Sequence, residues 1–185
     1  MSVTITLFDI LILITLVGGA AWGFYRGVFR QVISMLAIYV STVVSTLAYR
    51  GLSSLISGAE GPTPASDILA FVIMMATLNL LLALIGNDLV KEIETRRMGI
   101  WVHIGGMILG FFNTAIWCAV LLIIIRSATG GEPWIAYPGV QDFFQGQTRN
   151  SWMAYTFRPF MRFIVAIIEP WLFGRSLPPL FTSAI

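Results

Sequence analysis

Few side chains in this sequence are equipped for chemistry, and their types narrow what that chemistry is. Asp9, Asn79, Asn113 and His103 are polar residues set inside long apolar runs. An ionisable group in such a run marks a proton or ion site by default, because its charge is costly in hydrocarbon. A relay needs further members, and those runs hold no second carboxylate. Asp9 also lies near the start of its run, where a carboxylate favours the positive end of a helix dipole. A charge-paired rim of Asp9, Arg50, Asp67 and Arg126 is therefore as good a reading as a proton site. Asn79 and Asn113 lie deeper and are expected to hydrogen-bond between the third and fourth helices.

The sequence has one Cys, Cys118, and one His, His103. An internal disulfide is impossible, and a Cys/His zinc site lacks its three or four ligands. No Ser–His–Asp order and no carboxylate pair accompanies them in the runs. One axial histidine suffices for a haem or pigment, but a histidine near a helix end that finds water or a carbonyl is the ordinary case. No cofactor, no metal and no enzymatic activity are expected.

Small residues form a second pattern. Gly19, Gly23 and Gly27 are spaced by four, as are Gly106, Gly110 and Thr114. Such ladders strip one helix face of side chains, so a neighbouring backbone can approach closely. They suit either an oligomer seam or packing within the chain's own bundle. Ser34, Ser41, Thr42, Ser45 and Thr46 make a hydroxyl face on the second helix. Such hydroxyls bond across helices or back to their own carbonyls.

The elements that position these residues follow from composition. The chain is 57% hydrophobic and 11% charged, with mean hydropathy +0.86. Soluble domains carry roughly 25% charged residues, so an ordinary soluble fold is excluded. The net charge of +2 is too small and dispersed for a nucleic-acid partner. Four runs free of Lys and Arg, at about 3–25, 31–49, 68–87 and 98–125, approach or exceed the ~20 residues a helix needs to cross a bilayer. Helices are expected because strand alternation is absent and the hydrocarbon demands internally satisfied backbones. The first run has no basic lead and no clear cleavage site, so it reads as a retained helix.

The connections differ in kind. "WGFYRGVFRQ" makes a tight turn, with Gly23 and Gly27 allowing the reversal. "RGLSSLISGAEGPTPAS" reads as a polar loop, and "NDLVKEIETRRMG" as a charged helical linker. Residues 127–149 read as an extramembrane loop and 150–185 as an amphipathic tail lying in the interface. In that tail Arg158, Arg162, Ala166 and Glu169 share one stripe, with Trp152, Phe157, Phe160 and Trp171 among the apolar residues filling much of the rest. Arg-edged helices rich in Trp and Phe suit the headgroup boundary. The expected architecture is all-α: a bundle of four transmembrane helices plus an interfacial amphipathic C-terminal helix.

Arg26, Arg30, Lys91, Arg96 and Arg97 place the first and third connections in the cytoplasm, and hence both termini outside it. The tail's own arginines argue the other way.

"LFDILILITLVGGAAWGFYRGVFRQVISMLAIYVSTVVSTLAY" resembles the opening of the colicin V production protein family. Asp9, Gly23, Phe24, Arg26, Gly27 and Arg30 occupy that family's places for the helix-one Asp, the Gly–aromatic–basic–Gly turn and the basic residue after it. "RMGIWVHIGGMILGFFNTAIW" is similar to its Gly-rich fourth helix, and "NSWMAYTFRPFMRFIVAIIEPW" to its tail. The resemblance implies a polytopic bacterial inner-membrane protein tied to colicin V-type toxin production or export, or to envelope maintenance. Its partners would be the lipid bilayer and other membrane proteins or further copies of itself. A structural subunit of a respiratory or photosynthetic complex is the alternative, and a small channel or transporter the third reading.

Overall fold

The computed structural model describes residues 5–58, 61–91, 99–129 and 138–172. Its elements are helices: α1 (Leu7–Ser57), α2 (Pro64–Lys91), α3 (Ile100–Thr129), α4 (Pro138–Asn150), α5 (Trp152–Thr156) and α6 (Arg158–Ile168), closed by a 3₁₀ turn at Glu169–Leu172. No β-strand occurs among the described residues. The first three helices are long and apolar enough to cross a membrane.

α1 is two helices in one. Gly27 has φ 76° and ψ 172°, non-helical values that are essentially restricted to glycine. The chain doubles back there. Going along α3 from Gly106 to Thr114, the contacts on one side run from Gly27 through Gly23 to Gly19. On the other side they run from Val28 to Gln31 and Ser34. The arms 7–26 and 28–57 therefore flank α3 in opposite senses. The tight reversal expected at Gly23 and Gly27 needs only Gly27; Gly23 stays helical and serves packing instead.

Two boundaries move relative to the sequence reading. The second arm continues through residues 50–57, expected as loop, because Ser53 is buried and bonds to Ser66 across the connection. It stops at Gly58, whose φ is 59°. α2 then starts with a reciprocal cap: Thr63 N donates to Ser66 Oγ at 2.9 Å and Ser66 N to Thr63 Oγ1 at 3.2 Å. Pro64 occupies the first helical position, where its missing N–H costs nothing. Residues 92–98 of the expected charged linker lie outside the described residues.

α2 packs along the second arm, antiparallel to it. Ser53 meets Ser66 at one end, and Gly86 faces Ile33 toward the other. α3 packs against both arms of α1 and barely touches α2. The shared core draws Ile12 and Leu16 from the first arm, Ile38 and Tyr49 from the second, Phe71 and Met75 from α2, and Cys118, Leu122 and Ile123 from α3.

The stretch 127–149 is not loop throughout. α3 runs on to Thr129, and α4 occupies 138–150. Phe144 of α4 meets Phe8 edge-on at 6.1 Å between ring centroids, so apolar contact with α1 stabilises a helix that its own polar sequence does not announce. Of the two readings of the amphipathic tail, one helix or a helix pair, the structure has the pair. Ser151 caps α5, and Pro159 stands in the first turn of α6. Phe157, Met161, Ile164 and Val165 face the core, whereas Arg158, Arg162, Ala166 and Glu169 are exposed.

Candidate functional site

Asp9 is buried, 6% exposed, in the first turn of α1. Thr6 caps that turn, and the capping box is reciprocal: Asp9 Oδ2 accepts from Thr6 N at 2.7 Å and Thr6 Oγ1 at 2.9 Å. The other oxygen reaches the tail. Asp9 Oδ1 accepts from Ser151 Oγ at 2.5 Å and from Met153 N at 2.8 Å. Ser151 Oγ in turn accepts from Ala154 N at 2.9 Å. One carboxylate thus caps α1 and, through Ser151 and Met153, anchors the start of α5. A buried charge needs such donors, since desolvation otherwise forces it to neutralise.

The charge-paired rim expected around Asp9 is replaced by this neutral cage. Its donors are the hydroxyls of Thr6 and Ser151 and the backbone N–H groups of Thr6 and Met153. Arg50 stays with α1 and α2: its Nε donates to Tyr49 OH at 3.3 Å, and Asp67 lies in its field. Arg126 stands in the last turn of α3.

The glycine ladders meet each other inside the chain. Gly23 and Gly110 pack backbone to backbone, so a Cβ at Gly110 would stand 2.7 Å from Gly23 Cα. A Cβ at Gly106 would stand 2.7 Å from Gly27 Cα, and one at Gly19 would strike the Thr114 side chain. Side-chain atoms do not tolerate such distances, so α3 and the first arm require glycine at these points. The six residues Gly19, Gly23, Gly27, Gly106, Gly110 and Thr114 line one intramolecular contact.

His103 sits at the Gly27 end of that contact. Its Nδ1 lies 2.8 Å from the Phe24 carbonyl oxygen. Phe24 is within the last turn before the break at Gly27, where carbonyls lose their helical donors. The imidazole therefore donates to a helix C-terminus, and its ring tilts against Phe24 at 5.4 Å.

Asn113 does not bond to α2. Its Nδ2 donates to Gln31 Oε1 at 3.0 Å and to Ser34 Oγ at 2.9 Å, both on the second arm of α1. Gln31 is 3% exposed. Asn79 is on α2, and its Nδ2 is buried without a partner. The expected Asn79–Asn113 bridge fails because the second arm stands between their helices. On the hydroxyl face, Ser41, Thr42 and Thr46 bond back to carbonyls of their own helix.

Both ends of the bundle carry aromatic and basic side chains. Near Gly27, Arg26 lies over the Trp22 ring at 4.9 Å, with Tyr25 and Trp101 exposed. At the opposite end Arg158 lies over the Tyr155 ring at 5.0 Å, with Trp152 and Trp171 exposed. Trp171 Nε1 donates to Tyr39 OH at 2.6 Å, fixing the tail's end to α1. Amphipathic rings of this kind gather at the two faces of a bilayer. Among the described residues no three His, Cys, Asp or Glu side chains converge.

Ser151 and Met153 are the residues sequence reading missed. The signal for Ser151 was present, as a Ser ahead of an apolar helix; nothing local pointed to Asp9 as its partner.

A helical bundle with apolar outer faces and aromatic rims at both ends defines a polytopic membrane protein. The model of the colicin V production protein family matches residues 8–162, and the chain belongs to that family. That range takes in Asp9, the glycine contact, Ser151 and the start of α6. No curated protein and no solved structure matches the chain.

Proposed function

We propose that the chain is a non-enzymatic, four-span inner-membrane protein that supports production or export of a colicin V-type toxin, or envelope maintenance, through helix packing with other membrane components. The observation that carries this reading is the Gly23–Gly110 contact. It seals the interior backbone to backbone, and Asp9, the one carboxylate fully buried among the described residues, is consumed by a cap at the other end of its arm. The first arm of α1 is about 30 Å long at 1.5 Å per residue, enough for one crossing. The two arms, α2 and α3 then give four spans, with α5 and α6 lying in the interface beside the start of α1. Leu11, Ile14 and Val17 of the first arm, with Ile73, Leu80 and Leu84 of α2, are exposed and available to lipid or a partner helix. On this reading the basic connections face the cytoplasm and both termini lie outside it; a reporter at Thr63 active on the cytoplasmic side would reverse that orientation.

The test is deletion and complementation. Toxin secretion or envelope integrity should fall without the gene and return with it. Solute flux in proteoliposomes that Asp9→Asn abolishes would replace this reading with a channel. Purification in mild detergent solely as part of a respiratory or photosynthetic complex would replace it with a structural subunit.

A further inference from the structure

The two arms of α1 rise from Gly27 in step. On α3, Thr114 meets Gly19 of one arm, and the adjacent Asn113 meets Ser34 of the other. Gly19 and Ser34 stand almost equally far from Gly27 along the chain, so distance in sequence from Gly27 measures height along the bundle. At 1.5 Å per residue Asp9 stands about 27 Å above Gly27, Tyr39 about 18 Å and Arg50 about 35 Å. Asp67 lies near the height of Arg50, because Ser66 beside it bonds to Ser53. Arg30 and Arg50 bracket about 30 Å of the second arm, one hydrocarbon thickness. Arg50 and Asp67 therefore mark the edge of the hydrocarbon on the α2 side.

The tail is pinned below that edge at both of its ends. Ser151 Oγ donates to Asp9 Oδ1 at 2.5 Å, at a height about 8 Å below Arg50. Trp171 Nε1 donates to Tyr39 OH at 2.6 Å, and Tyr39 stands about 16 Å below Arg50. Long side chains on a helix lean toward its N-terminus, which carries the Tyr39 hydroxyl lower still. Between these anchors Phe157, Met161, Ile164 and Val165 face the core, and Arg158, Arg162, Ala166 and Glu169 face outward. Beside a flat bilayer those three charges would meet hydrocarbon, where each is costly. Snorkelling lifts an Arg head only by the length of its own stem. Thinning of the bilayer against a short apolar surface is the cheaper response.

We propose that the tail holds the headgroup layer below its level at Arg50 and Asp67, and that Arg158, Arg162 and Glu169 contact phospholipid headgroups in this locally thinned leaflet. The mixed charge of the stripe suits zwitterionic headgroups, phosphate to arginine and ammonium to Glu169. The proposal rests on the four-span reading and keeps α5 and α6 in the interface, at a lowered height.

Two measurements on the full chain test it. In phosphatidylcholine vesicles a nitroxide is placed at Ala166→Cys or, separately, at Ala76→Cys, exposed positions on the tail and on α2. Ala76 stands about 10 Å below Arg50, between the heights of the two tail anchors. Cys118 is buried, and the parent chain treated with label gives its background. Collision with a water-soluble nickel chelate and with oxygen reads the surroundings of each label. Position 166 should favour nickel and position 76 oxygen. Oxygen at both would put the stripe in hydrocarbon and overturn the proposal while leaving the four spans intact. Nickel at both would remove the four-span reading and the proposal with it. A thicker bilayer should also oppose the docked tail. Tryptic cleavage after Arg162 should be several-fold faster in nanodiscs of dierucoyl than of dimyristoleoyl phosphatidylcholine. Equal rates would show that docking exerts no thinning, which also overturns the proposal.

Discussion

Asp9 and Ser151, 142 residues apart, share a hydrogen bond of 2.5 Å at the end of the bundle. The same serine caps α5 and the same aspartate caps α1. Each residue thus closes its own helix and holds the other's. Two short tail helices that could not persist alone are fixed at their start by this pair and along their length by apolar contact.

Asp9→Asn should loosen the tail. An amide offers one acceptor oxygen where the carboxylate offers two, so two of four donors lose a partner, and the remaining bonds lose charge assistance. The expected cost is about 2–3 kcal/mol, read as a lower unfolding midpoint in micelles. Limited proteolysis should cut the tail faster while α1 to α3 survive. Ser151→Ala should show the same selectivity at about 1–2 kcal/mol, since it removes a cap and one donor. Unchanged cleavage in both variants would mean that apolar contact alone holds the tail.

Gly110→Ala should disturb the monomer itself. Its methyl group would meet Gly23 Cα at 2.7 Å, and neither helix has a flexible atom there to yield. Overpacking of this kind costs about 1–3 kcal/mol, and Gly110→Ile should abolish folding. Light scattering after size exclusion decides the matter: a well-folded monomer that has lost only a dimer would move the glycine contact to an oligomer seam.

Gly27→Ala tests the reversal. A non-glycine residue at φ 76° and ψ 172° carries strain of about 1–3 kcal/mol. The variant should denature earlier, and cysteines placed at the buried positions 16 and 38 should label faster than in the parent as both arms part from α3. A parent-like midpoint would mean that the two arms meet without this backbone conformation.

Asn113→Leu should leave Gln31 buried with an unpaired oxygen and cost about 1 kcal/mol. Adding Gln31→Leu should restore part of the loss, because the pair is then apolar on both sides. A double-mutant cycle on unfolding reads the coupling directly. Strictly additive effects would break the proposed link between α3 and the second arm.

The helical content, the apolar runs and the tail's two-sided pattern are legible in the sequence, because they depend on local spacing and composition. So is Gly27 as a break, although Gly23 carries the same local signature and remains helical. What distinguishes the two glycines is Gly110, which lies on another helix and occupies the space a Gly23 side chain would need. The helical extension through residues 50–57 was hidden for the same reason: Ser53 finds Ser66 only once α2 folds back.

The sequence by itself determined that this chain makes apolar helices and which short segments interrupt them. Hydrophobic runs, caps and glycines act within a few residues of where they occur. The tertiary structure alone decided the pairings: Asp9 with Ser151, His103 with the Phe24 carbonyl, and Asn113 with Gln31. Each joins positions whose separation along the chain carries no record of their approach. They meet because Gly27 turns α1 back along α3 and the tail crosses that bundle's end.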